Sequence, residues 1–278
     1  MIKNKNFLQN IPIMVAVLTC FFLIGIVFLL LHLLNLFPIK DKIVPLVRVT
    51  DILVGLTIYL KTSIDFAIFI GNLMKKYTGI KNRIAIETGT AFGNGVGTML
   101  VLIIWTFFKE VPLLMAVMII LASLVLLLLA EESLFDFLQE IPSPSLGQKI
   151  IKPFLFILKR INKIFSPITR LILPHAKNKS FSSLSFPKLL LFSFSIPFIL
   201  GLDDFAGYIP LFSIINIFGF AIGVFLGHMI LNIALFASPS TTIKIVRLPI
   251  ILAFGGLAFI AIALWGFYDV SDLLLTIF

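Results

Sequence analysis

Windows of about twenty apolar residues recur along the chain, near 13–36, 50–74, 86–107, 111–130, 189–211, 214–236 and 247–268. A helix needs about 20 such residues to cross a hydrocarbon core ~30 Å thick, and lipid leaves the backbone no partner but itself. The expected fold class is therefore an all-α polytopic membrane protein with about seven transmembrane helices. Apolar residues make up 60% of the 278 and charged residues 13%, against about 45–50% and ~25% in soluble domains. A soluble enzyme lacks that much apolar surface to hide. No G-x-x-x-x-G-K-[ST], G-x-S-x-G or H-E-x-x-H occurs, so neither enzymatic chemistry nor a cofactor is expected. The single cysteine, Cys20, excludes a disulfide framework and a thiolate metal cluster.

The formal charge of +9 reads as basic cytoplasmic loops and not as a nucleic-acid surface. With the N-terminus inside, the cytoplasmic side collects Lys3, Lys5, the Lys75/Lys76/Lys81/Arg83 loop, the long 131–187 connection, Lys244 and Arg247. Lys40, Lys42, Arg48 and Lys109 fall on the other side. The location this predicts is the plasma membrane, crossed many times. The first window is too long for a signal-peptide core and no A-x-A site follows it, so residues 1–44 read as an anchor helix.

Residues 131–187 are the one sizeable polar region. It opens acidic (Glu131, Glu132, Asp136, Glu140), breaks at Pro142 and Pro144, and turns basic. Lys149, Lys152, Lys159, Lys163 and Arg170 recur at helical steps between Ile150, Phe154, Leu155, Leu158 and Ile161. That pattern describes an amphipathic helix on the anionic cytoplasmic leaflet, which makes the bilayer itself a partner.

A motif occurs twice. Asp65-Phe66-Ala67-Ile68-Phe69-Ile70 is echoed by Asp204-Phe205-Ala206-Gly207-Tyr208-Ile209, and the window after each copy carries glycines four apart. These are Gly89, Gly93 and Gly97, then Gly219, Gly223 and Gly227. Small residues at that spacing let helices approach closely, within one chain or between two copies in a homodimer. The chain parses as an extra N-terminal helix and two three-helix units, 45–130 and 188–278. An odd number of spans per unit turns the second upside down, as in the inverted repeats of secondary transporters.

Acids inside spans cost roughly 2.5–3.5 kcal/mol each on insertion scales, so something must compensate them. Asp65, Asp203 and Asp204 are the candidates. Asp65 has an alternative structural reading as an ion pair with Lys61, one turn earlier. Asp203 and Asp204 have no basic residue within a turn, and neighbouring carboxylates that share protons suit exchange of a proton for a cation. Pro197, Pro210, Gly201 and Gly207 predict a break in the fifth window. Asn94, Thr62 and Ser63 are lesser ligands. His228 and Asn232 share a helix face, where His228 reads first as an interhelical hydrogen-bonder and second as a ligand. Glu87 and Asp51, near window ends, read as solvated caps.

Thr62-Ser63-Ile64-Asp65, Gly93-Asn94-Gly95-Val96-Gly97-Thr98 and Gly201-Leu202-Asp203-Asp204 with Pro210 and Phe212 stand in an order that resembles the cadmium-resistance transporter (CadD) family of the lysine-exporter superfamily. The resemblance covers roughly 50–130 and 188–268. It implies an inverted-repeat exporter with Asp65 and Asp203 as its intramembrane acids, whereas the internal echo pairs Asp65 with Asp204. Asp204 stands where that family has Asn, and the first helix and the long basic loop are additions. Oxygen donors suit Mn²⁺, Ca²⁺ or Mg²⁺ as well as Cd²⁺. The expected function is secondary export of a divalent metal cation, with proton exchange as the coupling that the carboxylates permit. Export of an amino acid or other small cationic solute, or a non-transporting membrane scaffold, are the alternatives.

Overall fold

The computed structural model describes residues 2–142, 146–172, 184–200 and 208–277, and every regular element among them is helical. In chain order these are α1 (Ile2–Leu34), α2 (Val49–Thr62), α3 (Ile64–Lys76), α4 (Ile80–Phe108), α5 (Pro112–Glu140), α6 (Leu146–Ile172) and α7 (Phe186–Leu200). A 3-10 turn (Ile209–Leu211), α8 (Ile217–Ala237), α9 (Pro239–Val246) and α10 (Pro249–Ile277) follow. Among the described residues five helical stretches are long and apolar enough to cross a membrane: Ile11–Leu34, Ile80–Phe108, Pro112–Glu140, Ile217–Ala237 and Pro249–Leu275. This is the architecture of a polytopic membrane protein.

Two of the seven expected spans depart from straight helices. The window at 50–74 is the pair α2–α3, bent by 62°. Its cause is local: the Thr62 hydroxyl donates back to the carbonyls of Ile58 (3.1 Å) and Tyr59 (3.2 Å), and Ser63 N–H also takes Tyr59 O at 3.0 Å. Such back-bonding competes with the helical ladder and bends it. The fifth window holds a shorter apolar helix, Phe186–Phe198. The break expected there falls in 201–207, outside the described residues.

Boundaries follow from the usual chemistry of helix ends. Pro112 opens α5 after extended Val111. Asn216 caps α8, its Oδ1 accepting from Phe218 N–H (3.1 Å) and Gly219 N–H (3.4 Å). Between α3 and α4 the chain turns at Gly79, whose φ of +103° is a left-handed value that a side chain resists. Helix α5 continues through Glu140, so the acidic run Glu131–Glu140 is helical and the boundary expected at 130/131 lies inside an element.

The described residues fall into two compact units. One gathers those of Met1–Ile103, Ala176–Gly201 and Ile215–Ile245. Its framework is two helix pairs in which glycines remove the spacing. A methyl group on Gly55 of α2 would land on the carbonyl of Phe220 of α8, and one on Gly223 of α8 on the carbonyl of Ile52 of α2. Gly227 meets the Tyr59 ring further along, so α2 and α8 run parallel. In the same way Gly89 and Gly93 of α4 lie on the backbone of α7 at Leu190 and Phe194, again in parallel. Helix α1 is built into this unit. Ala16, Cys20, Leu23, Val27, Leu31 and Leu34 form its buried stripe, Leu23 sits at Gly95, and Phe28 meets Phe218 at 5.6 Å between ring centroids.

The other unit gathers the described residues of Ile104–His175, Leu202–Ile214 and Val246–Phe278. Here α5 and α10 lie antiparallel: Gly256 sits against Leu134, Ser133 Oγ donates to Leu252 O (2.8 Å), and Gly266 packs by Ile119 and Pro210. Helix α6 folds back along α5, where the sequence predicts a helix resting on the leaflet. Ile151, Leu155, Leu158 and Asn162 form its inner stripe against Leu127–Leu134. Asn162 Nδ2 donates to Glu131 Oε2 (2.6 Å) and to Leu127 O (3.2 Å). Two further arcs of α6 stay exposed, one apolar (Leu146, Ile150, Phe154, Ile157, Ile164) and one basic (Lys149, Lys152, Lys159, Arg160, Lys163).

Candidate functional site

The buried polar groups of the first unit converge on α4. Its residues Glu87, Thr90, Asn94 and Thr98 share one face at helical spacing, and all are enclosed. From Glu87 to Thr98 they run about 16 Å along the helix axis. Four helices supply the surroundings of this stripe.

From α8 comes Asn232, whose Nδ2 donates to Thr90 Oγ1 (3.4 Å) and to His228 Nε2 (2.9 Å). With Nε2 accepting, the imidazole proton sits on Nδ1 and is donated to the Tyr59 hydroxyl of α2, 2.6 Å away. Thr90 Oγ1 donates in turn to Glu87 O (3.0 Å). From α1 comes Thr19, 3.1 Å from Glu87 Oε1. Tyr59, His228, Asn232, Thr90, Glu87 and Thr19 thus tie four helices together by polar contacts in an apolar interior. Alongside them are buried atoms with no hydrogen-bonding partner among the described residues: Glu87 Oε2, Asn232 Oδ1, Asn94 Nδ2, Thr98 Oγ1 and Ser193 Oγ. Buried polar groups are ordinarily paired, so atoms of that kind set this stripe apart from the rest of the interior.

The expected site residues divide. Asn94 is inside, only 3% exposed. Ser63 is buried at the α2–α3 break, and Lys61 is half-buried just before it. Thr62 is buried too, but its hydroxyl is engaged by its own helix and not offered to a ligand. Asp65 is not enclosed by the bundle as the sequence suggests. The bend at Ser63 turns Phe66, Ala67, Ile70 and Met74 inward, and Asp65, in the first turn of α3, is exposed. Asp203 and Asp204 lie outside the described residues. His228 and Asn232 bind each other and Tyr59, which gives them the interhelical role. Among the described residues no three His, Cys, Asp or Glu side chains gather as metal ligands. Of the packing glycines, Gly89 and Gly93 face α7, Gly219, Gly223 and Gly227 face α2, and Gly97 is buried.

Glu87 and Asp51 are corrections in the other direction. Both read as solvated caps, and both are buried, at 2% and 4% exposure. Helix α4 starts at Ile80, so Glu87 lies two turns inside it. Lys81 and Arg83 had pushed the apolar window past the true start. The clue was available in the spacing, since Glu87, Thr90, Asn94 and Thr98 already form one polar face. Asp51 packs with its Cβ 3.0 Å from where a Gly219 side chain would begin, and its Oδ2 has no partner among the described residues. No family model matches the chain, and neither does any curated protein or solved structure.

Proposed function

We propose that the chain is a secondary transporter of the plasma membrane that exports a divalent metal cation in exchange for protons. The observation that carries this reading is the exchange of partners between sequence halves. The first helix of each half packs in parallel on the second helix of the other half (α2 on α8, α7 on α4), and the third helices, α5 and α10, pair antiparallel. Two sequence halves inserted with opposite orientation produce that set of directions, and alternating access works by one such half moving against the other. Glycine seams that bring backbone onto backbone favour sliding at both contacts.

The broken span α2–α3 adds support, because discontinuous helices are where transporters of this kind build their sites. Asp65 stands in the first turn after the break. In this reading Asp65, Asp203 and Asp204 hold the metal, with Asn94 and Ser63 as further oxygen donors. Flux of Mn²⁺ or Cd²⁺ into proteoliposomes tests it. The intact protein is expected to carry the ion, and Asp65→Asn and Asp203→Asn to lose it; undiminished flux in both variants removes the site. The two exposed arcs of α6 favour a second reading, a scaffold that recruits lipid or protein, in which charge loss on α6 outweighs any change at the acids.

A further inference from the structure

Thr19 carries one hydroxyl proton and faces three acceptors: Val15 O at 2.9 Å, Ala16 O at 3.1 Å and Glu87 Oε1 at 3.1 Å. Where that proton follows the helical pattern of back-bonding to the carbonyl one turn back, Glu87 Oε1 no longer receives it. A carboxylate at the third position then meets a hydroxyl lone pair. A carboxylic acid there donates its O–H into that lone pair, which pairs Oε1 without a second proton on the hydroxyl.

The rest of the environment agrees. Among the described residues Thr19 is the only group that reaches the Glu87 carboxyl, and Oε2 has none. Arg83, one turn earlier on α4, is directed elsewhere: Nη1 donates to Phe236 O (3.0 Å) and the guanidinium lies 4.8 Å from the Phe236 ring. Among the described side chains, the buried titratable groups of α1 and α8 are the Cys20 thiol and His228, whose two ring nitrogens are taken by Tyr59 and Asn232. Lys188 of α7 is exposed, and Ser193 is the buried polar residue that helix brings to the α4 seam. A buried carboxylate with no cation beside it among the described residues costs far more than the neutral acid does.

We infer that Glu87 is a proton-binding site inside the bundle, loaded as the neutral acid on the Thr19 hydroxyl, and that the proton it releases is the one exchanged against the exported cation. The second clause rests on the transporter reading. Thr19, Thr90 and Asn232 are positioning residues, the last two fixing the backbone that carries Glu87.

Infrared spectra of the purified protein in lipid test the site without any transport. The wild type is expected to show a neutral-acid carbonyl stretch that disappears in Glu87→Gln and also as pH rises. In Thr19→Val that stretch moves to higher frequency, because it loses its acceptor. Identical wild-type and Glu87→Gln spectra in that region at every pH overturn the proposal. A hydrophobic carbodiimide, which attacks neutral buried carboxyls, checks the unmutated chain: the peptide containing Glu87 gains the adduct mass at low pH, and absence of the adduct overturns the site. In proteoliposomes Glu87→Gln is expected to lose the Mn²⁺ flux driven by a pH gradient; flux that still responds to the gradient overturns the exchange clause. A titrating band in a protein that moves no metal sinks the transporter reading alone, and coupled flux without the band sinks the proton site alone.

Discussion

Gly223 of α8 rests directly on the carbonyl oxygen of Ile52 in α2, with no space between them for a single added carbon. Only backbone is available to give way. Gly223→Ala is therefore expected to cost about 1–3 kcal/mol, the range for overpacking a close contact. Gly25 in α1 has nothing near it, and Gly25→Ala is expected to be stabilising by roughly 0.5–1 kcal/mol through helix propensity. Thermal melting of the two variants in detergent separates them; equal Tm values would refute the close seam.

Tyr59→Phe removes the hydroxyl that His228 Nδ1 meets at 2.6 Å and leaves a buried ring nitrogen without a partner. A loss of about 1–3 kcal/mol is expected. The same melting assay reads it, and a variant as stable as wild type would show that the imidazole finds water or another acceptor there.

Asn162→Leu tests how α6 is held. Its amide bonds both Glu131 and Leu127 O, so the variant leaves a half-buried carboxylate without its Asn162 donor, at a cost of about 1–3 kcal/mol. Detachment of α6 from α5 is expected to show as faster trypsin cleavage at Lys159 and Lys163. Unchanged cleavage means that the Ile151, Leu155 and Leu158 stripe alone fixes the helix.

The exposed arcs of α6 predict a lipid dependence. Basic residues near an anionic surface contribute about 1 kcal/mol each. Amide exchange in α6 is expected to slow when nanodiscs contain phosphatidylserine, and the difference to vanish when Lys149, Lys152, Lys159 and Lys163 are all replaced by Gln. Protection that ignores lipid charge would leave those lysines as ordinary solvated residues.

What the sequence reveals and what it hides follow from physical scale. Apolar windows of span length are unmistakable, and the glycine ladders at 89/93 and 219/223/227 do face helices, because spacing alone decides which residues share a face. The bend at Ser63 is invisible to a hydropathy window, since Thr62 and Ser63 act through backbone hydrogen bonds and not through polarity. Glu87 is missed for a related reason: Lys81 and Arg83 make the first turns of α4 look like a loop. Helix α6 reads as amphipathic either way, and only packing tells the stripe that meets α5 from the arc left bare.

Tyr59 and His228 are separated by 169 positions, and the helices that carry them are among the closest neighbours in the first unit. Order of synthesis therefore matters. When the ribosome has delivered α2 and α4, neither mate has yet been made, and both glycine faces wait in the bilayer uncovered. A nascent chain stalled before α7 is an unmatched insertion intermediate, the kind of product that membrane quality control must recognise and clear.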